Sequence, residues 1–220
     1  MSFASDAFAG TLNTELATYS AAWVKITGYT QDMHVSVGGQ YAIRYGASLG
    51  AYRNTGTPPS ADYTVSASMM TTNEDGSDGP PRFGVCGRVS SSAQTMYFTL
   101  QTRGANTLKL YKVVAGSQTE LASVTNAMTT SVAQTHTLSM VGTAIKVLVN
   151  ASEVISVTDG DITAAGFGGI IADCMRISGD HDVASIDNWD ASELASGPVI
   201  TGPSGKQMTG GFFDLSGGTS

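Results

Sequence analysis

Strict alternation of apolar and polar side chains over short runs constrains this chain more than any other feature. In YTVSASM at 63–69, THTLSM at 135–140 and AIKVLV at 144–149, apolar residues recur with a period close to two. Met96, Phe98 and Leu100 alternate with polar residues in the same way, and Tyr97 is the exception in that run. A period of two places each apolar set on one face of a sheet and a hydroxyl-rich set on the other. The pattern therefore predicts an all-β protein with half-solvated antiparallel sheets.

Turn-forming residues separate these runs about every 8–12 residues, the spacing typical of a β-sandwich. Gly50 to Pro59 and Asn73 to Pro81 are predicted loops, and residues 8–17 are the best candidate for a short helix. The predicted strands lie at 20–26, 33–37, 40–45, 62–70, 83–89, 95–102, 107–114, 119–124, 135–141, 143–149, 153–158, 167–172 and 183–190. These are too many for a seven-stranded sandwich, and they predict a two-sheet antiparallel jelly roll.

The composition changes after Ala195. Residues 196–220 are rich in Gly, Ser and Pro, with one apolar island at Phe212, Phe213 and Leu215. The chain of 220 residues has a length that suits one all-β domain. We predict a jelly-roll domain over 1–195 and an extended C-terminal arm over 196–220, whose island contacts another surface.

The charge balance narrows the classes of partner. The formal net charge is −7 with only 11 Lys and Arg residues, which disfavours nucleic-acid binding because that needs clustered basic side chains. The nearest approach to a cluster is Lys109 with Lys112. No run reaches the ~18 apolar residues of a membrane helix, and the first residues lack a signal-peptide pattern. We expect synthesis in the cytoplasm, no membrane insertion, and free buried thiols at Cys86 and Cys174.

No constellation of catalytic residues stands out. The segment GASLG at 46–50 matches the G-x-S-x-G elbow of hydrolases, but the YRNTG that follows is not a helix. His34, His136 and His181 show no metal-ligand spacing. The sequence therefore predicts a protein that is not an enzyme and that requires no cofactor.

Two sets of residues are candidates for binding. Asn73, Asp75 and Asp78 supply oxygen ligands that suit calcium, and a solvated hairpin tip is the alternative interpretation. Aromatic rings can stack on sugars, although most aromatic residues pack in a core or at its rim. The candidates for sugar stacking are Tyr45, Tyr52, Tyr97 and Tyr111.

The order of several short motifs resembles the concanavalin A-like (laminin G-like) jelly rolls over about residues 6–191. The motifs are DAFAGTLNTEL at 6–16 followed by Trp23, KVLVN at 146–150 with EVI at 153–155, GFGGI at 166–170 and SIDNW at 185–189. Relatives with this fold include lectins, sugar-binding modules, glycoside hydrolases and phage structural proteins. The hydrolases carry Glu-x-Asp-x-x-Glu, so that two carboxylates flank the scissile bond. None of the five glutamates here begins that motif, which disfavours hydrolysis.

The resemblance implies a non-enzymatic bacteriophage virion protein, either a capsid decoration or an appendage. Its location would be the virion, its partners capsid or other virion proteins and further copies of itself, and its jelly roll would present a lectin-like surface to a cell-surface glycan. Two alternatives stay open. One is a carbohydrate-binding module, and the other is a glycosidase or polysaccharide lyase of the same fold.

Overall fold

The computed structural model describes residues 1–11, 13–35, 42–44, 48–71, 80–173, 176–177, 181–182 and 184–194. This part contains one short helix, α1 (Leu16–Tyr19). Its strands are β1 (Ser2–Asp6), β2 (Trp23–Lys25), β3 (Met33–Val35), β4 (Ala42–Arg44), β5 (Gly50–Asn54), β6 (Tyr63–Thr71), β7 (Arg82–Val89), β8 (Met96–Thr102), β9 (Thr107–Val114), β10 (Ser117–Thr125), β11 (Gln134–Val141), β12 (Ala144–Val149), β13 (Ser152–Thr158), β14 (Phe167–Asp173), β15 (Arg176–Ile177), β16 (His181–Asp182) and β17 (Ala184–Glu193).

The strands form two antiparallel sheets packed face to face, which confirms the predicted two-sheet jelly roll. The eight-stranded sheet has the order β13-β12-β11-β6-β17-β4-β3, and β1 also pairs with β17. The seven-stranded sheet has the order β10-β9-β8-β7-β14-β5-β2. Strands β15 and β16 pair with each other.

The alternating runs of the eight-stranded sheet face the core as predicted. In β6 every second residue is buried and the residues between are half-buried, and β12 repeats this pattern. The inner faces of both sheets share one apolar core, in which Val65, Val85 and Leu110 are fully buried. Full burial of a side chain of this size contributes roughly 1.5–3 kcal/mol, so this core is the main source of stability.

One carboxylate anchors the N-terminal segment. The Asp6 side chain accepts hydrogen bonds from the Phe8 backbone N–H at 2.6 Å, the Tyr19 hydroxyl at 2.9 Å and Trp23 Nε1 at 2.7 Å. The Trp23 ring then meets the Trp189 ring edge to face, with centroids 5.0 Å apart. The N-terminal motif that resembles concanavalin A-like proteins is therefore a structural unit that closes the core.

Two glycines on β14 allow close approach of their neighbours, Trp189 at Gly168 and the Tyr52 backbone at Gly169. A Cβ on Gly168 would lie 3.0 Å from Trp189 Cζ2, and Trp189 Nε1 donates to the Gly169 carbonyl at 3.2 Å. A Cβ on Gly169 would lie 2.2 Å from the Tyr52 carbonyl oxygen. Because backbone and indole approach this closely, only glycine fits at 168 and 169 without displacement of a neighbour.

The structure corrects two local predictions and confirms a third. Strand β5 begins at Gly50, inside the predicted loop, and pairs with both β2 and β14. The helix has only four residues, Leu16–Tyr19, and overlaps the predicted segment 8–17 at its last two positions only. Cys86 is a free buried thiol as predicted, whereas Cys174 lies outside the described residues.

Candidate ligand-binding site on the seven-stranded sheet

The seven-stranded sheet is apolar on its outer face as well as on its inner face. Strand β8 is buried at every position from Met96 to Gln101, and β14 is buried from Gly168 to Asp173. The buried residues of this outer cluster are Ile26, Ala51, Cys86, Val89, Met96, Phe98, Leu100, Val113 and Ile171. The outer face therefore behaves as a second, smaller core.

The segment after β2 covers one end of this outer cluster. Ile26 is 1% exposed within the cluster, and Tyr29 packs against it and hydrogen-bonds the Gln94 side chain. A Cβ on Gly28 would lie 2.6 Å from Gln94 Cδ, so this segment runs directly against the turn between β7 and β8. Burial raises the pKa of Tyr29 to about 12, and its hydroxyl stays protonated at neutral pH.

One row of side chains leads from the outer cluster to solvent. The register places Cys86, Phe98, Tyr111 and Glu120 opposite one another on β7, β8, β9 and β10. Cys86 and Phe98 are fully buried, Tyr111 is half-buried, and the Glu120 side chain is 41% exposed. The Phe98 and Tyr111 rings stack with centroids 5.0 Å apart and an interplanar angle of 17°. Phe98 therefore holds the more exposed Tyr111 ring in a fixed orientation.

Two charged groups converge beside the Tyr111 ring. Lys109 Nζ lies 2.8 Å from Glu120 Oε2, and the Tyr111 hydroxyl donates to the same oxygen at 3.4 Å. The hydrogen bond with Glu120 raises the pKa of Lys109, so the ammonium is fully charged at neutral pH. Glu120 Oε1 accepts no hydrogen bond from the described residues. The group thus offers a ring, a cationic donor and a free carboxylate acceptor on one open surface.

We call this group, formed by Lys109, Tyr111 and Glu120 over Phe98, the β9–β10 site. A ligand with neighbouring hydroxyls and an apolar C–H face matches it, because each hydroxyl can donate to the carboxylate or accept from the ammonium. Binding sites for small polar molecules commonly combine an aromatic wall with a few placed polar groups in this way.

The predicted sugar-stacking tyrosines fall in different environments. Tyr52 and Tyr97 are fully buried and offer no ring face to a sugar. The Tyr52 hydroxyl bonds Glu15, and the Tyr97 hydroxyl donates to Asp159 Oδ1 at 2.6 Å. Tyr111 alone of the described three is partly open to solvent.

Several candidates lie outside the described residues. They are Tyr45, the predicted calcium ligands Asn73, Asp75 and Asp78, and the arm residues Phe212, Phe213 and Leu215. The calcium site and the arm contacts therefore remain predictions.

The basic residues Lys109 and Lys112 lie close together on β9, and each is paired with carboxylates. Lys112 Nζ lies 2.5 Å from Asp159 Oδ2 and also pairs with Asp161. Hydrogen bonds to these carboxylates raise the pKa of Lys112, although desolvation opposes them. Each lysine is thus part of a local ion pair within the domain.

Sequence reasoning did not identify Lys109, Glu120 or Phe98 as site residues. The turn between β9 and β10 could have identified Glu120. It consists of the two residues Ala115 and Gly116, which have positive φ values of 48° and 86°. A two-residue hairpin turn fixes the register of its strands. That register places Tyr111 opposite Glu120 without any knowledge of the rest of the fold.

Neither a metal-binding cluster nor a membrane-spanning helix is present among the described residues. No group of three or more His, Cys, Asp or Glu side chains there could hold a metal ion. No helix there has the length and apolar character needed to cross a membrane.

The sequence matches no protein-family model and no curated protein, but solved structures share its fold. The carbohydrate binding module CBM66 from Bacillus subtilis has a TM-score of 0.61 at 14% identity, covering 78% of this chain and 96% of that one. A Bacillus subtilis protein of unknown function with a galectin-like fold scores 0.57 at 9% identity, with 86% and 98% covered. The exoplasmic/lumenal domain of VIP36 scores 0.52 at 10% identity, with 83% and 90% covered.

At these identities the similarity establishes the fold alone, a lectin-like jelly-roll sandwich. It confirms the fold implied by the sequence resemblance. It provides no support for a phage origin.

Proposed function

We propose that this chain is a non-catalytic carbohydrate-binding module whose ligand lies over the β9–β10 site. The observation that carries the proposal is the convergence of Lys109 and Glu120 beside a half-buried tyrosine that is itself stacked on Phe98. A sugar presents hydroxyls along one edge and C–H groups on its ring face, and the site matches both features. Support also comes from fold relatives, since one is named a carbohydrate binding module and the VIP36 structure is described as Man3GlcNAc-bound.

Two described carboxylates of this sheet, Glu120 and Asp173, lie too far apart to act as a glycosidase pair. Glycosidases need two carboxyl groups roughly 5–9.5 Å apart. Glu120 lies on β10 and Asp173 on β14, and the order β10-β9-β8-β7-β14 separates them by four strand spacings. At about 4.8 Å per spacing this is about 19 Å. Asp173 is moreover fully buried and paired with Arg82.

A second ion pair in the protein provides a matched control. Lys146 and Glu153 also join an edge strand, β13, to its neighbour β12. Their Nζ and Oε2 atoms are also 2.8 Å apart, and their side chains are 42% and 46% exposed. This pair belongs to the eight-stranded sheet and lies outside the β9–β10 site. Substitution of Glu153 therefore changes the same kind of interaction without affecting the proposed site.

The test is affinity electrophoresis of the full chain in gels that contain soluble β-glucan, levan, mannan or galactan. We expect at least one polysaccharide to retard the wild-type protein. Tyr111→Ala should weaken that binding by about tenfold or more, because the stacking ring is lost. Glu120→Gln should weaken it by about five- to tenfold, because the hydrogen bond to the sugar loses its charge. Glu153→Gln should bind as the wild type does.

Equal retardation of Tyr111→Ala and Glu153→Gln would place any sugar elsewhere on the protein. Absence of retardation by all four polysaccharides would contradict the carbohydrate-binding proposal for those ligands. Circular dichroism of each variant shows that the fold is retained. The virion role stays a prediction from sequence, because it depends on the arm at 196–220, outside the described residues.

A further inference from the structure

A small polar cleft lies on the outer face of the eight-stranded sheet, where β17 is irregular. The register of β17 against β6 shifts between Asp187 and Asp190, and Asn188 there has a positive φ of 47°. This bulge turns polar side chains toward a cleft of about 260 Å³. The cleft is lined by Ser68, Met70, Ala133, Ser185, Asp187 and Asn188.

The polar groups of the cleft are largely unused by the protein. The Asp187 carboxylate accepts hydrogen bonds only from its neighbour Asn188, from N at 2.6 Å and from Nδ2 at 2.9 Å, among the described residues. Ser185 is 5% exposed, yet its hydroxyl bonds no described residue, and the same holds for the half-buried Ser68 hydroxyl. Both hydroxyls therefore remain free to hydrogen-bond a ligand that enters the cleft.

The charge of the cleft is also uncompensated. No Lys or Arg of the described chain pairs with Asp187. Burial, together with the negative charge of Asp6, raises the pKa of Asp187 against the hydrogen bond from the Asn188 amide, which lowers it. The carboxylate is therefore available to a cationic ligand, whose charge would oppose the shift that burial and Asp6 cause.

We propose that this cleft binds a primary ammonium group carried on a small hydroxylated ligand such as an amino sugar. An ammonium has three N–H donors, and the cleft presents three matching acceptors in the Asp187 carboxylate and the Ser68 and Ser185 hydroxyls. Met70 and Ala133 supply apolar contacts for the carbon side of the ligand. The volume lies just below the roughly 300–1,000 Å³ of pockets for drug-sized molecules, which suits a monosaccharide.

This site is independent of the β9–β10 site, because the two lie on outer faces of different sheets. It does not rest on the proposed carbohydrate-binding function at Tyr111. Tyr111→Ala should leave ammonium binding intact, and Asp187→Asn should leave polysaccharide retardation intact. Failure of one proposal is therefore distinguishable from failure of the other.

The test is a titration of the isotope-labelled full chain with D-glucosamine, followed by backbone amide shifts in NMR spectra. The titration is carried out at about pH 6, where the amine is protonated. We expect saturable shifts at Ser68, Ser185 and Asn188. Asp187→Asn should weaken binding by about tenfold or more, because a charge-assisted hydrogen bond is lost. The control is Asp190→Asn, which alters a half-buried carboxylate on the same strand that lines a different cleft.

Three results would overturn the proposal. They are absence of saturable shifts at the cleft, equal effects of Asp187→Asn and Asp190→Asn, and equal binding of D-glucose, which lacks the ammonium. Ser185→Ala separates binding from folding, because its hydroxyl bonds no described residue and its removal should leave stability nearly unchanged while binding weakens.

Ethanolamine distinguishes the two sources of the same ammonium chemistry. If it shifts the same amides with similar affinity, the cleft recognises amines in general. If D-glucosamine binds more tightly, the hydroxyls of the sugar ring contribute and the ligand is an amino sugar. Both outcomes support an ammonium site.

Discussion

The outer faces of the two sheets are built on opposite principles. On the eight-stranded sheet, the outward residues of β6 are half-buried serines and threonines, with Met70 at the end. On the seven-stranded sheet, Met96, Phe98 and Leu100 of β8 point outward and are nearly or fully buried. The first face is an ordinary solvated sheet surface, and the second resembles an interior. The informative side chains are those that depart from their own face: the exposed Glu120 beside Tyr111 on the apolar face, and the nearly buried Ser185 beside Asp187 on the solvated one.

The inner face of β8 explains why its apolar residues point outward. Gln101 faces the core, and its side chain donates to the Asn126 carbonyl at 2.9 Å and accepts from Asn126 Nδ2 at 2.7 Å. Asn126 Nδ2 also donates to Gln134 Oε1 at 3.0 Å, which links the two sheets through amides. A polar network of this kind inside the sandwich is stable only because its members satisfy one another.

Truncation of one residue on each outer face should give the largest contrast. Phe98→Ala removes a fully buried ring that stacks on Tyr111, and it should destabilise the protein by about 3–5 kcal/mol. Ser66→Ala, at a half-buried outward position of β6, should change stability by less than about 0.5 kcal/mol. Chemical denaturation of both variants measures the difference. Similar losses for the two would mean that the outer cluster is not a core.

The stability of the protein should depend on pH, because His136 is fully buried between the two sheets. Burial lowers the pKa of His136 to about 4 from its ordinary 6.5, and its Nδ1 has no hydrogen-bond partner in the described structure. The unfolded chain binds a proton as the pH falls below about 6.5, whereas the folded protein resists until about pH 4. The free energy of unfolding should therefore fall by up to about 3 kcal/mol between these pH values and fall no further below them from this group.

His136→Gln isolates this contribution, since it keeps a polar side chain but removes the titration. Denaturation at a series of pH values should show a flatter curve for the variant than for the wild type between about pH 6.5 and 4. Parallel curves would show that His136 is already solvated or protonated in the folded state.

The sequence predicted the positions of most strands because alternation and turn residues act locally. It predicted a half-solvated sheet for β8, whereas both faces of β8 are buried and Met96, Phe98 and Leu100 belong to the outer cluster. The burial of each face of β8 depends on which distant segments cover it. It also depends on partners such as Asn126 and Gln134, which lie near Gln101 on the inner face. Local pattern carries no information on either point.

The candidate site was partly predictable. Tyr111 was named from its residue type, and the turn at Ala115 and Gly116 could have placed Glu120 opposite it. Tyr52 and Tyr97 were named for the same reason, yet both are buried in the core. The Asp187 cleft could not be predicted, because it arises from a bulge and from Ser68 on another strand.

Substitutions in the turns of the two edge hairpins should change stability least. One hairpin belongs to each sheet, so the two turns can be compared directly. The β9–β10 turn is Ala115-Gly116, and the β12–β13 turn is Asn150-Ala151 with φ values of 49° and 67°. Both residues of such a turn adopt positive φ, which suits Asn and Gly but strains alanine. Ala151→Gly should therefore stabilise the protein by about 0.5–1 kcal/mol, and Gly116→Ala should destabilise it by a similar amount. Thermal and chemical unfolding of both variants test this, and a loss of stability in Ala151→Gly would mean that the entropy of the added glycine outweighs the strain it relieves.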